Sequence, residues 1–214
     1  MSLLGLLDLS AAFDCVDHDI LLQRLENHFG FGGAALAWIK SFLVDRTQQV
    51  SFGGQLSSVG RLICGVPQGS VLGPLLFLLY TTELFDLVAE CGLTAHSYAD
   101  DTQVYISTKS IDAPLAVHRF ATCVERLDDW MSRNRLKMNA DKTQIIWVGT
   151  RQQLAKVNIS ELRLLSVDVP FSTTVSDLGV KLDGQLSMSD HVAAVCRSCF
   201  FPTAPVASRQ KIVN

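Results

Sequence analysis

A chain of 214 residues with 48% apolar and 18% charged residues has the composition of a folded globule, which excludes disorder as its main state. Its 18 Lys and Arg against 21 Asp and Glu leave a net charge of −3, which excludes a basic nucleic-acid-binding arm. One domain, or one with a small satellite, is expected at this length, with a core that needs no staple. Leu3 to Leu7 is too short for a signal peptide, and no basic residue precedes it. The longest apolar run, Val71 to Tyr80, contains Gly73 and Pro74 and falls well short of the ~20 residues of a membrane span. The six cysteines are irregularly spaced and read as reduced thiols, so an intracellular chain of cytoplasm or nucleus is expected.

Leu3 to Leu9 is nearly continuous apolar sequence, the pattern of a short central strand, and Asp8 lies at its end. Asp19 is placed to cap a helix running to Phe29, with Ile20, Leu21, Leu25 and Phe29 on one face and Gly30 as the stop. A second helix is predicted over 33–44. Gln48 to Phe52 and Gln55 to Ile63, split by Gly53-Gly54, predict a hairpin. A Gly/Pro loop from Cys64 to Gly69 then opens a helix over 70–91.

Thr94 to Ala99 and Thr102 to Thr108 read as strands around Asp100-Asp101, which puts two adjacent carboxylates at a hairpin tip. An amphipathic helix over 113–133 follows, with Val117, Phe120, Ala121, Val124, Leu127 and Met131 at helical spacing, and then a strand over 143–148. This order predicts an α+β fold with a split β-α-β-β-α-β core and helices on one face, in which the first strand and the hairpin lie side by side. Short strands over 162–182 and a last helix over 190–201 complete the chain.

In that arrangement Asp8 meets Asp100 and Asp101. Crowded carboxylates repel and raise one another's pKa unless a divalent cation absorbs the charge, and oxygen-only ligands select Mg²⁺ or Mn²⁺. Two such ions about 3.5–4 Å apart are a common device for in-line displacement at phosphorus. The residues alone leave a plainer reading open, in which Asp8 caps the next turn and Asp100-Asp101 are ordinary turn formers.

Leu7-Asp8-Leu9-Ser10-Ala11-Ala12-Phe13-Asp14, Gly65-Val66-Pro67-Gln68-Gly69-Ser70-Val71-Leu72-Gly73-Pro74 and Tyr98-Ala99-Asp100-Asp101 resemble, in order, the A, B and C motifs of reverse transcriptases, with the non-LTR, LINE-type retrotransposon group the nearest match. Leu136 to Thr143 is similar to that family's D motif and Leu178 to Lys181 to its E motif. The resemblance implies an RNA-directed DNA polymerase palm that takes an RNA template, a DNA primer, dNTPs and two Mg²⁺ or Mn²⁺ ions. It divides the chain into a palm core over 1–150, small strands and a helix over 151–201, and a divergent tail over 202–214. Asp8, Asp100 and Asp101, with the carbonyl of Leu9, are the implied metal ligands.

By the same resemblance Ala11 and Ala12 offer backbone N–H groups to the triphosphate, and Phe13 lies beneath the sugar, where its bulk disfavours a 2′-hydroxyl. For Phe13 a core position beside Val16 is the open alternative. Gln68 reaches nucleotide or template, and Gly69 permits the turn it sits on. Tyr98 lies against the primer end, Ala99 leaves room for the nucleotide, and Leu178 and Gly179 contribute to the primer grip. Lys142 is a candidate proton donor to pyrophosphate, or else a solvated turn lysine.

An intact enzyme of this family has fingers before motif A and a thumb after motif E; neither is expected in this chain, so apolar faces that would pack on them are expected to be free for a protein partner. Poor or undetectable activity is expected of such a palm, and a catalytically inert retroelement remnant or a non-enzymatic binding module is the alternative to a working polymerase. Arg133, Arg135, Lys137 and Lys142 form a modest basic segment, and Cys196 and Cys199 with His191 lack the second pair that a zinc site requires.

Overall fold

A computed structural model describes residues 1–165 and 167–200 of the chain. The opening strand β1 (Ser2–Leu9) buries alternate residues on two different partners. Leu3, Leu7 and Leu9 enter the main core, whereas Leu6 joins Ile146 and Val175 in a small second core, with Leu4 packed against it. A strand covered on both faces needs apolar residues in both registers, which accounts for its nearly continuous apolar sequence. It also fixes where Asp8 points: with a period of two, Asp8 continues the Leu4–Leu6 series.

After a 3-10 turn, α1 (His18–Asn27) begins at Asp17, whose Oδ1 accepts from the N–H groups of Asp19 and Ile20 at 3.0 and 3.1 Å. The cap is therefore Asp17, not Asp19, which sits in the first turn, and Phe29 lies beyond the helix and is exposed. α2 (Gly33–Leu43) follows. The predicted hairpin is two short ladders, β2 (Thr47–Gln48) with β5 (Gly60–Arg61) and β3 (Ser51–Phe52) with β4 (Gln55–Leu56), all exposed.

The helix predicted over 70–91 is two helices, α3 (Leu72–Thr81) and α4 (Glu83–Glu90), meeting at Thr82. The segment Leu72–Glu90 is long and apolar enough to cross a membrane by length and composition alone. Its side chains argue for a core helix: Phe77, Tyr80, Leu84 and Val88 are buried in the main core, and Glu83 bonds the buried Arg24.

β6 (Thr94–Tyr98) and β7 (Asp101–Ser107) form the hairpin, joined by Ala99-Asp100 with Ala99 in the left-handed region at φ 57°. The long α5 (Ala113–Arg133) presents Ala116, Phe120, Cys123, Val124, Leu127 and Met131 to the sheet as a buried stripe. Phe120 reaches β1 at Gly5, where an added Cβ would overlap the tip of its ring; only glycine lets the helix settle this close. β8 (Met138–Val148) pairs with β1 along two stretches separated by an irregularity between Leu6 and Asp8.

The sheet order is β6-β7-β1-β8, antiparallel throughout. α6 (Arg151–Leu154), capped by Thr150, leads into the hairpins β9 (Glu161–Leu164)–β10 (Val167–Pro170) and β11 (Thr174–Asp177)–β12 (Val180–Asp183). Val175 of β11 and Leu182 of β12 close the second core over Leu6 and Ile146, so α1, α3, α4 and α5 share the core on one face of β1 and this hairpin lies on the other. α7 (Ser189–Phe200) follows, and the tail over 202–214 lies outside the described residues.

Candidate active site

Register brings the first two acidic side chains together. Leu7 pairs with Thr102, so Asp8, one residue on, stands across from Asp101, one residue back. Residues directly opposed on antiparallel strands share a face, here the face of Leu6 and Gln103. A pocket of about 120 Å³ opens there, with Asp8, Asp101, Lys142, Gln144, Asp177 and Leu178 in its wall.

Asp8 Oδ2 is buried and has no hydrogen-bond partner; the nearest cation, Lys142 Nζ, stops 3.8 Å away. Partial desolvation, followed by the like charges of Asp100, Asp177 and Asp8, holds the Asp101 carboxyl above its ordinary value. A carboxyl raised in the folded state destabilises the fold where it is ionised: the penalty is absent below the unfolded pKa and complete once pH has risen past the folded one. Asp101→Asn is therefore expected to raise the midpoint of thermal unfolding at neutral pH in a metal-chelating buffer, with the gain vanishing in acid below the carboxylate range.

The expected convergence of three carboxylates is met by two. Asp100 occupies the two-residue turn, outside the pocket wall, while Asp101 begins β7 and takes the face of Asp8. Among the described residues no three His, Cys, Asp or Glu side chains are grouped to hold one ion. An orphaned carboxylate oxygen beside a second, charge-strained carboxyl nevertheless fits Mg²⁺ or Mn²⁺ in kind, since such ions are commonly held by one or two carboxylates with phosphates and water completing the shell.

The loop from Cys64 to Gly69 is bound to the turn after β1. The N–H groups of Gly65 and Val66 donate to the carbonyls of Val16 and Phe13 at 2.7 and 2.9 Å, and His18 Nε2 donates to the Gly65 carbonyl at 2.8 Å. Gly65, at φ 84°, lies so close to the Asp14 backbone that a Cβ would come 2.9 Å from its carbonyl oxygen. Gln68 Nε2 donates to Asp14 Oδ1 at 3.0 Å, which joins the second motif to the first. Phe13 is half-buried and stacked on Phe77, with ring centroids 4.8 Å apart.

Leu9 and Ala12 are buried, whereas Ala11, at φ 48°, is exposed on the turn. Tyr98 is exposed at the end of β6, Ala99 and Gly69 sit in left-handed turns, and Leu178-Gly179 form the left-handed tip of the β11–β12 hairpin. Leu178 thereby reaches the carboxylate pocket, while Gln68 and Phe13 line no part of it.

Gln103, Gln144 and Asp177 are among the pocket residues that motif reading does not single out. The available signals were weak. Gln103 lies two residues beyond Asp101 and so on its face, and Asp177 directly precedes Leu178-Gly179.

The family model for reverse transcriptase (RNA-dependent DNA polymerase) matches residues 2–182. The chain is similar to the RNA-directed DNA polymerase from mobile element jockey of Drosophila melanogaster, 30% identical over 88% of this chain and 20% of that protein. To the probable RNA-directed DNA polymerase from transposon X-element of the same fly it is 32% identical, over 88% of this chain and again 20% of the relative. It thus spans about a fifth of the length of these curated relatives. In fold it resembles telomerase from Candida albicans, solved in complex with a TWJ fragment of telomeric RNA, at a TM-score of 0.53 and 14% identity over 87% of this chain and 31% of that one. With the family model matched over residues 2–182 and relatives at 30% and 32% identity named as RNA-directed DNA polymerases of mobile elements and transposons, the chain belongs to the reverse transcriptase (RNA-dependent DNA polymerase) family.

Proposed function

We propose that the chain is the palm of an RNA-directed DNA polymerase, built on a split β-α-β-β-α-β sheet, that adds dNTPs to a DNA primer on an RNA template. The observation that carries this reading is the orphaned, buried oxygen of Asp8 on the face it shares with Asp101. Asp8, Asp101 and the neighbouring Asp100, with the Leu9 carbonyl, would hold two Mg²⁺ or Mn²⁺ ions. When bound, such a pair supplies Lewis acidity at the attacking and leaving oxygens of an in-line displacement.

The remaining work falls to the protein's own groups. The primer 3′-hydroxyl gives its proton to solvent water and its oxygen bonds the α-phosphorus of the dNTP, as the bond from that phosphorus to pyrophosphate breaks and pyrophosphate leaves. Lys142, held near Asp8 on an exposed stem, offers its ammonium to the departing pyrophosphate and offsets the charge that develops there. Phe13, braced by Phe77, limits room at the sugar, and Gln68, tied to Asp14, is positioned for nucleotide or template. Leu178, in the pocket wall, and Gly179, next to it on the hairpin tip, would border the primer end.

Primer extension by the 214-residue chain on an RNA template tests the reading. Extension that requires Mg²⁺ or Mn²⁺ and disappears in Asp8→Ala is expected; extension indifferent to that substitution refutes the assigned site, and no extension under any condition favours a non-catalytic binding module.

A further inference from the structure

Two glutamines on the sheet occupy positions that the chemistry above leaves unused. Leu6 pairs with Gln103 on one side and with Gln144 on the other, so the three side chains form one row across β7, β1 and β8 on the pocket face. Both amides reach the same end of the overlying hairpin. Gln103 Nε2 donates to Asp177 Oδ2 at 2.8 Å, and Gln144 Oε1 accepts from the Ser176 N–H at 3.1 Å. Between them Val175 is buried on Leu6 and Ile146.

We propose that Gln103 and Gln144 are positioning residues, a two-amide cradle that fixes the β11–β12 hairpin and thereby sets Leu178-Gly179 against the primer end. The inference rests on the palm reading for what the hairpin touches, but not for how the hairpin is held. Apolar contact at Val175 is non-directional and tolerates sliding, whereas two amide bonds to consecutive residues fix height and rotation together. Leu178 and Gly179, next in the chain, occupy left-handed backbone at φ 46° and 82°, so the turn's placement follows directly from that of Asp177.

The choice of glutamine is informative. A lysine or arginine at position 103 would hold Asp177 as an ion pair and cancel its charge; an amide holds it while leaving the carboxylate negative beside Asp8 and Asp101. The cradle therefore restrains the hairpin without diluting the field that attracts cations to the pocket.

The test is a charge swap read by hydrogen exchange. Gln103→Glu sets a carboxylate against Asp177, and amide exchange across 174–183 is expected to rise about tenfold or more while α5 amides stay unchanged. In the double variant Gln103→Glu/Asp177→Asn the bond reforms with donor and acceptor exchanged, and exchange is expected to return to the wild-type rate. Gln103→Leu removes the donor without adding charge and is expected to loosen the same segment, a check that does not depend on tolerance of the new carboxylate.

In primer extension, Gln103→Glu is expected to lower kcat with the KM for dNTP unchanged, and the swap to restore it. Wild-type exchange in both single variants overturns the cradle; so does a loosened hairpin that the swap fails to tighten. Loosening and rescue of the hairpin with kcat unmoved overturns its primer-positioning role. Extension that survives Asp8→Ala, by contrast, is a failure of the palm reading and leaves the exchange result standing.

Discussion

Arg24→Met is expected to destabilise the chain by about 3–5 kcal/mol, seen as a fall in the urea midpoint at constant slope. Arg24 is only 7% exposed and is the hub of a polar network inside an apolar core. Its Nη2 donates to Glu83 Oε2 at 2.9 Å and to Asn134 Oδ1 at 3.0 Å, its Nε to Glu83 Oε1 at 3.2 Å, and its Nη1 to the Tyr80 carbonyl. The guanidinium also lies 5.3 Å from the ring centroids of both Tyr80 and Trp130. Burial pushes the Tyr80 phenol up to about 12, so it stays protonated and donates to the Asn134 carbonyl at 2.6 Å.

One side chain thus joins α1, the α3–α4 junction and the end of α5. Removing it strands Glu83, which would then hold a partly buried charge with Trp130 Nε1 and the half-exposed His28 as its partners. The double variant Arg24→Met/Glu83→Gln keeps an acceptor for Trp130 without the charge. It is expected to recover more than half of the loss; a double variant as unstable as the sum of its singles would show that the cost lies in packing.

Asp8→Asn is expected to lower primer extension by about 10²–10³-fold while leaving the fold intact. The magnitude corresponds to the several kcal/mol that a correctly held ion contributes to charge stabilisation at phosphorus, at 1.36 kcal/mol per decade. The fold is expected to tolerate the change because Asp8 Oδ2 makes no hydrogen bond and an amide occupies nearly the same volume. Circular dichroism and the urea midpoint check the second half of this expectation, and single-turnover extension the first.

Much of the fold could be read from the chain because its strongest signals are local. The apolar run of β1, the turn at Ala99-Asp100 and the buried stripe of α5 each declare their element within a few residues. Where neighbours compete, local reading failed: Asp17 and Asp19 are both capable caps, and Asp17 is chosen because Val16 enters extended and His18 is drawn to the Gly65 carbonyl. Pattern also could not split the helix at Thr82, since Phe77, Tyr80, Leu84 and Val88 keep helical spacing across the polar Thr81-Thr82-Glu83 junction.

The carboxylates were legible from strand order, since pairing register alone faces Asp8 with Asp101. Their separation from Asp100 was not, because one residue more or less in a turn decides which of two adjacent side chains takes a given face. The hairpin over the sheet is a contact between distant segments with no local signature. Gln103, Gln144 and Asp177 became visible as a unit only once β11 was seen to lie on Leu6.

The most direct measurement is a Mn²⁺ titration of the chain, with no nucleic acid present, followed by the loss of the free-ion electron paramagnetic resonance signal. Binding by the wild type that weakens at least tenfold in Asp8→Asn/Asp101→Asn is the predicted result. Equal Mn²⁺ affinity in the two proteins would contradict the assignment of these carboxylates as the polymerase metal site.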